Sequence, residues 1–90
     1  MKTKRERVAA ALRYRQDRDN APTVVAVGKG DMANAMEKIA RENDIPLYRD
    51  ETLAHTLVEL GLGVEIPREL YEAVAKVLVH VAALDKKLIR

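Results

Sequence analysis

The chain has 90 residues and a net charge of +2, with 48% hydrophobic and 33% charged residues, enough for one small domain with a modest core. It contains no Cys, no Ser, no Phe and no Trp, which excludes disulfides, thiolate metal sites and Cys or Ser nucleophiles, and leaves the core to Val, Leu, Ile, Ala and Met. No run approaches the roughly 18 apolar residues of a membrane span, and the first residues lack a signal peptide's apolar region, so a cytoplasmic protein is expected.

Residues 1–7 read as a basic polar lead and residues 8–90 as a single domain. The first twenty residues hold seven cations and three carboxylates, so +4 sits there and −2 in the rest. Lys4, Arg5, Arg7, Arg13 and Arg15 are candidates for a basic arm meeting nucleic acid, acidic lipid or an acidic partner. The plainer reading is a solvated tail. Residues 8–15 are ambiguous. The capping-box spacing of Thr3 and Glu6 before an Ala-rich run favours helix, whereas alternation would set Val8, Ala10, Leu12 and Tyr14 on one face of a strand.

A polar connection, Gln16-Asp-Arg-Asp-Asn-Ala-Pro22, has turn chemistry. Residues 23–27 (Thr-Val-Val-Ala-Val) are a strand, apolar enough to suggest helices on both faces. Asp31 is expected to cap a helix to about Asn43, with Met32, Ala35, Met36, Ile39 and Ala40 as its apolar stripe. Ile45-Pro-Leu-Tyr48 is expected to be a short strand parallel to the first one of the unit, Pro46 keeping it near an edge. Asp50 caps a further helix with Leu53, Leu57 and Leu60 on one face, ended by Gly61. Pro67 opens the last helix, which runs to about Lys87 with Leu70, Val74, Val77, Leu78, Val81 and Leu84 inward.

Few residues carry chemistry. Gly28-Lys-Gly-Asp-Met-Ala33 fits the G-x-G-x-x-A fingerprint between a strand and a helix, and Asp50 lies about twenty residues on. Asp31, however, puts a carboxylate where a pyrophosphate would bind, and the chain is short for a nucleotide-binding half plus a substrate site. A Gly-rich turn is the simpler reading. His55 and His80 fall on different helices with no ligand-spaced neighbours, so no metal is expected. No carboxylate pair suits acid–base work, so neither catalysis nor a cofactor is expected.

The order of residues resembles the C-terminal cytoplasmic domain of the FlhB/YscU family, the export-switch proteins of flagellar and type III secretion systems. The resemblance rests on Val8-Ala-Ala-Ala-Leu-Arg-Tyr14, Ala21-Pro-Thr-Val-Val-Ala-Val-Gly28, Ile39-Ala-Arg-Glu-Asn-Asp-Ile-Pro46, Leu53-Ala54 with Leu57, and Val64-Glu-Ile-Pro-Arg-Glu-Leu-Tyr-Glu-Ala-Val-Ala-Lys-Val-Leu78. It covers about residues 8–84. It implies that residues 8–15 form a strand paired antiparallel with 23–27, in a small α/β domain. The implied sheet is mixed, an antiparallel hairpin plus a parallel βαβ strand, and is covered by about three helices. Where the family carries its Asn-Pro-Thr-His self-cleavage site, this sequence reads Lys4-Arg-Glu-Arg7. The expectation is a stand-alone copy of the C-terminal product, without a membrane domain.

By register with the family, Ala21, Pro22, Ala75 and Leu78 make up a patch implicated in receiving early export substrates. The plainer alternative takes Ala75 and Leu78 as simple core residues. The implied function is a non-enzymatic protein-binding module of the export apparatus, cytoplasmic and peripheral to its inner-membrane part. It would bind export substrates or components and substitute for, or modulate, the cleaved C-terminal domain of a full-length homologue. The family fold has a further strand before the cleavage site. The corresponding gap is expected to be filled by strand addition, from a full-length FlhB-type protein or a second copy. The alternative is a small basic nucleic-acid-binding or regulatory protein, which salt-sensitive affinity would mark.

Overall fold

A computed structural model of the chain describes residues 6–15 and 17–89, with side chains in the last helix described as far as Val81. Two strands, β1 (Val8–Arg13) and β2 (Thr23–Lys29), form an antiparallel pair. Three helices follow: α1 (Asp31–Glu42), α2 (Glu51–Leu60) and α3 (Tyr71–Ile89), the last entered through a 3-10 turn at Arg68–Leu70. The strand reading of residues 8–13, implied by family register against local helix propensity, is the one the fold adopts. Pairing with β2 and burial of Ala10 and Leu12 against the core override an Ala-rich stretch's preference.

The hairpin register shifts between Ala11 and Leu12: Ala11 faces Ala26 and Leu12 faces Val24. Val25 is thus the extra residue of a β-bulge and stays 40% exposed in an otherwise apolar strand. The connection between the strands closes on itself, because Asp19 donates its N–H to the Arg15 carbonyl (2.7 Å) while its carboxylate accepts from the Arg15 N–H (2.9 Å).

Successive residues of β2 serve opposite faces. Val24 and Val27 join Ala10 and Leu12 toward Leu53 and Leu57 of α2, Ile66, and Val74 of α3, where the main core sits. Gly28 faces α1 instead. A Cβ there would stand 2.7 Å from Met36 Sδ and 3.0 Å from the Met32 carbonyl carbon, so the glycine is required by helix–strand packing. Gly30, at φ 57°, makes the turn into α1 and is its N-cap, which moves Asp31 from the expected cap into the first turn. Its charge there still complements the helix dipole. Asp50 caps α2 as expected, its carboxylate accepting from the Leu53 N–H at 3.0 Å.

Two expectations are corrected. The apolar stripe of α1 is shifted: Ala40 is buried as expected, but it is joined by Ala33, while Met32 and Ile39 are 62% and 55% exposed. The parallel third strand at residues 45–48 is absent from the sheet, which has two strands among the described residues. Pro46 has no N–H, and the Ile45 N–H is spent on the Ala40 carbonyl (2.8 Å), so the segment has no donor left in its first half. Ile45, Leu47 and Tyr48 remain exposed.

Candidate functional site

Tyr71, Val74, Ala75 and Leu78 have the i, i+3, i+4, i+7 spacing that places them along one face of α3. Opposite this face runs the lead into β2, Asn20-Ala21-Pro22, with Tyr14 from the end of β1 beside it. Together they line a concavity of about 220 Å³. All four residues picked by register, Ala21, Pro22, Ala75 and Leu78, line it.

The wall contributed by Ala21 and Pro22 is held from behind. The Ile66 N–H donates to the Pro22 carbonyl (2.8 Å), the Val24 N–H to the Val64 carbonyl (2.9 Å), and the Gly63 N–H to the Val24 carbonyl (2.7 Å). Residues 63–66 thus lie against the outer edge of β2 and hold its first turn of chain in place. Ala21 and Pro22 are buried, Val74 forms the floor at 1% exposure, Leu78 is half-buried, and Ala75 is open to solvent. The core reading therefore describes part of Leu78, which packs on the core cluster, but not Ala75. Lining this apolar, the polar tips of Tyr14, Tyr71 and Asn20 aside, offers no charge for a metal or a phosphate. The volume falls below the roughly 300 Å³ of small-molecule sites and suits one or two side chains of a protein partner. Tyr14, Asn20, Tyr71 and Val74 were missed by register, though the helical spacing of 71, 74, 75 and 78 carried the signal.

The basic arm resolves into separate fates. Lys4 and Arg5 lie outside the described residues. Arg13 and Arg15 are exposed. Arg7 is engaged, its Nη2 2.8 Å from Glu37 Oε2 on α1. Of the histidines, His80 makes an edge contact with Tyr48 (ring centroids 5.3 Å apart), and His55 has its Nε2 buried without a partner among the described residues. No group of three metal-ligating side chains converges among the described residues, and none of their helices is long and apolar enough to cross a membrane. The G-x-G-x-x-A stretch is accounted for by Gly28 packing and the Gly30 turn.

The family model described as FlhB, HrpN, YscU and SpaS matches residues 5–81. The chain belongs to the FlhB/HrpN/YscU/SpaS family. The flagellar biosynthetic protein FlhB of Borreliella burgdorferi is 40% identical over 86 residues, 94% of this chain and 23% of that protein. Protein YlqH of Bacillus subtilis is 38% identical over 80 residues, 89% of this chain and 86% of that protein. This FlhB-family chain therefore spans about a quarter of the FlhB relatives it matches and most of YlqH. Among solved structures, the PscU C-terminal domain superposes with a TM-score of 0.73 at 32% identity, covering 79% of this chain and 91% of that one. A mutated EscU/SpaS C-terminal domain gives 0.81 at 28% identity, covering 84% and 95%. The chain is thus related to the flagellar and type III protein export apparatus, and its fold is that of the family's C-terminal domain.

Proposed function

We propose that this FlhB-family chain is a protein-binding module of the export apparatus, and that the groove between α3 and the Ala21-Pro22 lead is where it takes an apolar segment of an export substrate or export component. One observation carries the reading: the four residues that family register singles out from separate parts of the chain line a single apolar concavity. In this role the chain substitutes for, or modulates, the corresponding domain of a full-length homologue on the cytoplasmic side of the apparatus. The groove binds without chemistry of its own.

A second contact is strand addition. The Gly30 N–H donates to the Arg7 carbonyl (2.7 Å), so by alternation the amides of Val8, Ala10 and Leu12 face away from β2. No strand pairs with β1 on that side among the described residues. A strand from a full-length FlhB-type protein, or from a second copy, fits this edge. Arg7's engagement with Glu37 weighs against a free basic arm for nucleic acid.

The groove is tested by NMR titration of the labelled chain with a rod- or hook-type export substrate. Saturable shifts at Ala21, Thr23, Val74, Ala75 and Leu78 are expected, and Ala75→Asp should remove them. Ala75 is exposed, so this variant leaves the core intact. Shifts confined elsewhere, or undiminished by Ala75→Asp, would discard the groove as the site.

A further inference from the structure

Three arginines from three parts of the chain converge on one carboxylate. Arg7, just ahead of β1, lies 2.8 Å from Glu37 Oε2; Arg41, one turn further along α1, lies 2.6 Å from Oε1; Arg49, beyond the 45–48 segment, lies 3.4 Å from Oε1. Glu37 is largely covered, its side chain 18% exposed, while the arginines are 53%, 64% and 77% exposed. Glu37 lies within 4 Å of all three guanidiniums, and a single carboxylate does not neutralise three cations. Each guanidinium carries five N–H donors in a planar fork, most of them still turned to solvent. Glu37 acts as a tether that holds the forks together.

Beside this cluster lies a stretch of backbone with nothing to bind. Leu47, Tyr48 and Arg49 make no backbone–backbone hydrogen bond among the described residues, and Ile45, Leu47 and Tyr48 are 54%, 43% and 39% exposed. Unpaired backbone amides and carbonyls flanked by exposed apolar side chains are a template for another strand. A nucleic-acid backbone would use the charge but neither the amides nor the apolar surface. A protein segment uses all three.

We infer that Arg7, Arg41 and Arg49 form a carboxylate-recognition site, and that the segment this chain accepts by strand addition is an extended, apolar stretch bearing an Asp or Glu that reaches the cluster. The inference rests on the strand-addition reading above and adds the chemistry by which the incoming strand is chosen. A carboxylate bridging two of the forks would make charge-assisted hydrogen bonds, which set register as well as affinity.

The test is an NMR titration of the full chain, following backbone amides of residues 8–12 and 47–49 together with the arginine Nε–Hε signals. The probes are synthetic peptides of alternating Val and Thr with one Glu placed at each position in turn, their Gln counterparts, and inorganic phosphate alone. The best Glu peptide should shift both sets of signals and bind roughly tenfold or more tightly than its Gln counterpart, as a charged hydrogen bond allows. The triple variant Arg7→Gln, Arg41→Gln, Arg49→Gln should abolish that difference while still binding the Gln peptide. Equal affinity of Glu and Gln peptides would overturn the inference and leave strand addition standing. Arginine shifts matched by phosphate alone, without amide shifts, would show an unselective anion patch and overturn it too. Absence of amide shifts with every peptide would overturn strand addition itself.

Discussion

The groove and the arginine cluster are built in opposite ways. The groove is a product of packing: its floor, Val74, is 1% exposed and belongs to the core, and its far wall is fixed by backbone hydrogen bonds from residues 63–66. The cluster stands on the other helix system, on α1, and is held by exposed ion pairs that stabilise little by themselves. A surface built from core residues keeps its shape without a partner. One built from long charged side chains becomes ordered fully only when a counter-charge arrives. On the proposed reading, the pair divides the work of recognition into a preformed apolar seat and an adjustable electrostatic one.

Substitutions that strike one region and spare the other separate the two. The largest effect is expected from Ile66→Ala. Ile66 is 2% exposed in the core, so losing its side chain should cost about 2–5 kcal/mol in urea unfolding; the cavity left beside its N–H, which still donates to Pro22, should blur the groove's amide signals first. Gly28→Ala strikes the other side. Its Cβ would press on Met36 Sδ and on the backbone at Met32 and Ala33, costing about 1–3 kcal/mol and displacing α1 with Glu37 and Arg41. The groove signals should move less than those of α1. Asp50→Ala removes the α2 cap for about 1 kcal/mol in the same unfolding experiment, with little bearing on either site. Glu37→Gln should change stability least, by less than about 1 kcal/mol given the exposure of its partners, yet broaden the Nε–Hε signals of all three arginines. A loss of several kcal/mol would mean the cluster is structural after all.

Legibility in the sequence follows the same division. The apolar run of β2, the Asp50 cap and the face of α3 depend on neighbours within a few residues, and period and capping rules read them. β1 was undecidable locally, since an Ala-rich stretch with a plausible cap suits either helix or strand; family register supplied the pairing. Val25's exposure and the failure of 45–48 to join the sheet come from a bulge and from donors already spent, neither of which leaves a mark on composition. Of the expected α1 stripe, Ala40 is buried, but small Ala33 takes the place of the larger Met32 and Ile39 where Gly28 lets the helix approach. Of the cluster, only Glu37 and Arg41, four apart on one helix, could be paired from sequence. Arg7 lies thirty residues from Glu37 and meets it only once β1 and α1 have packed.

The most direct test of the groove as this chain's working surface is made in cells. In a flagellated bacterium whose FlhB lacks its C-terminal domain, this chain would be expressed beside the truncated protein and secretion of hook-type substrates measured. The account predicts that the chain restores export and that Ala75→Asp, folded and equally abundant, does not. Export restored equally well by Ala75→Asp would contradict it.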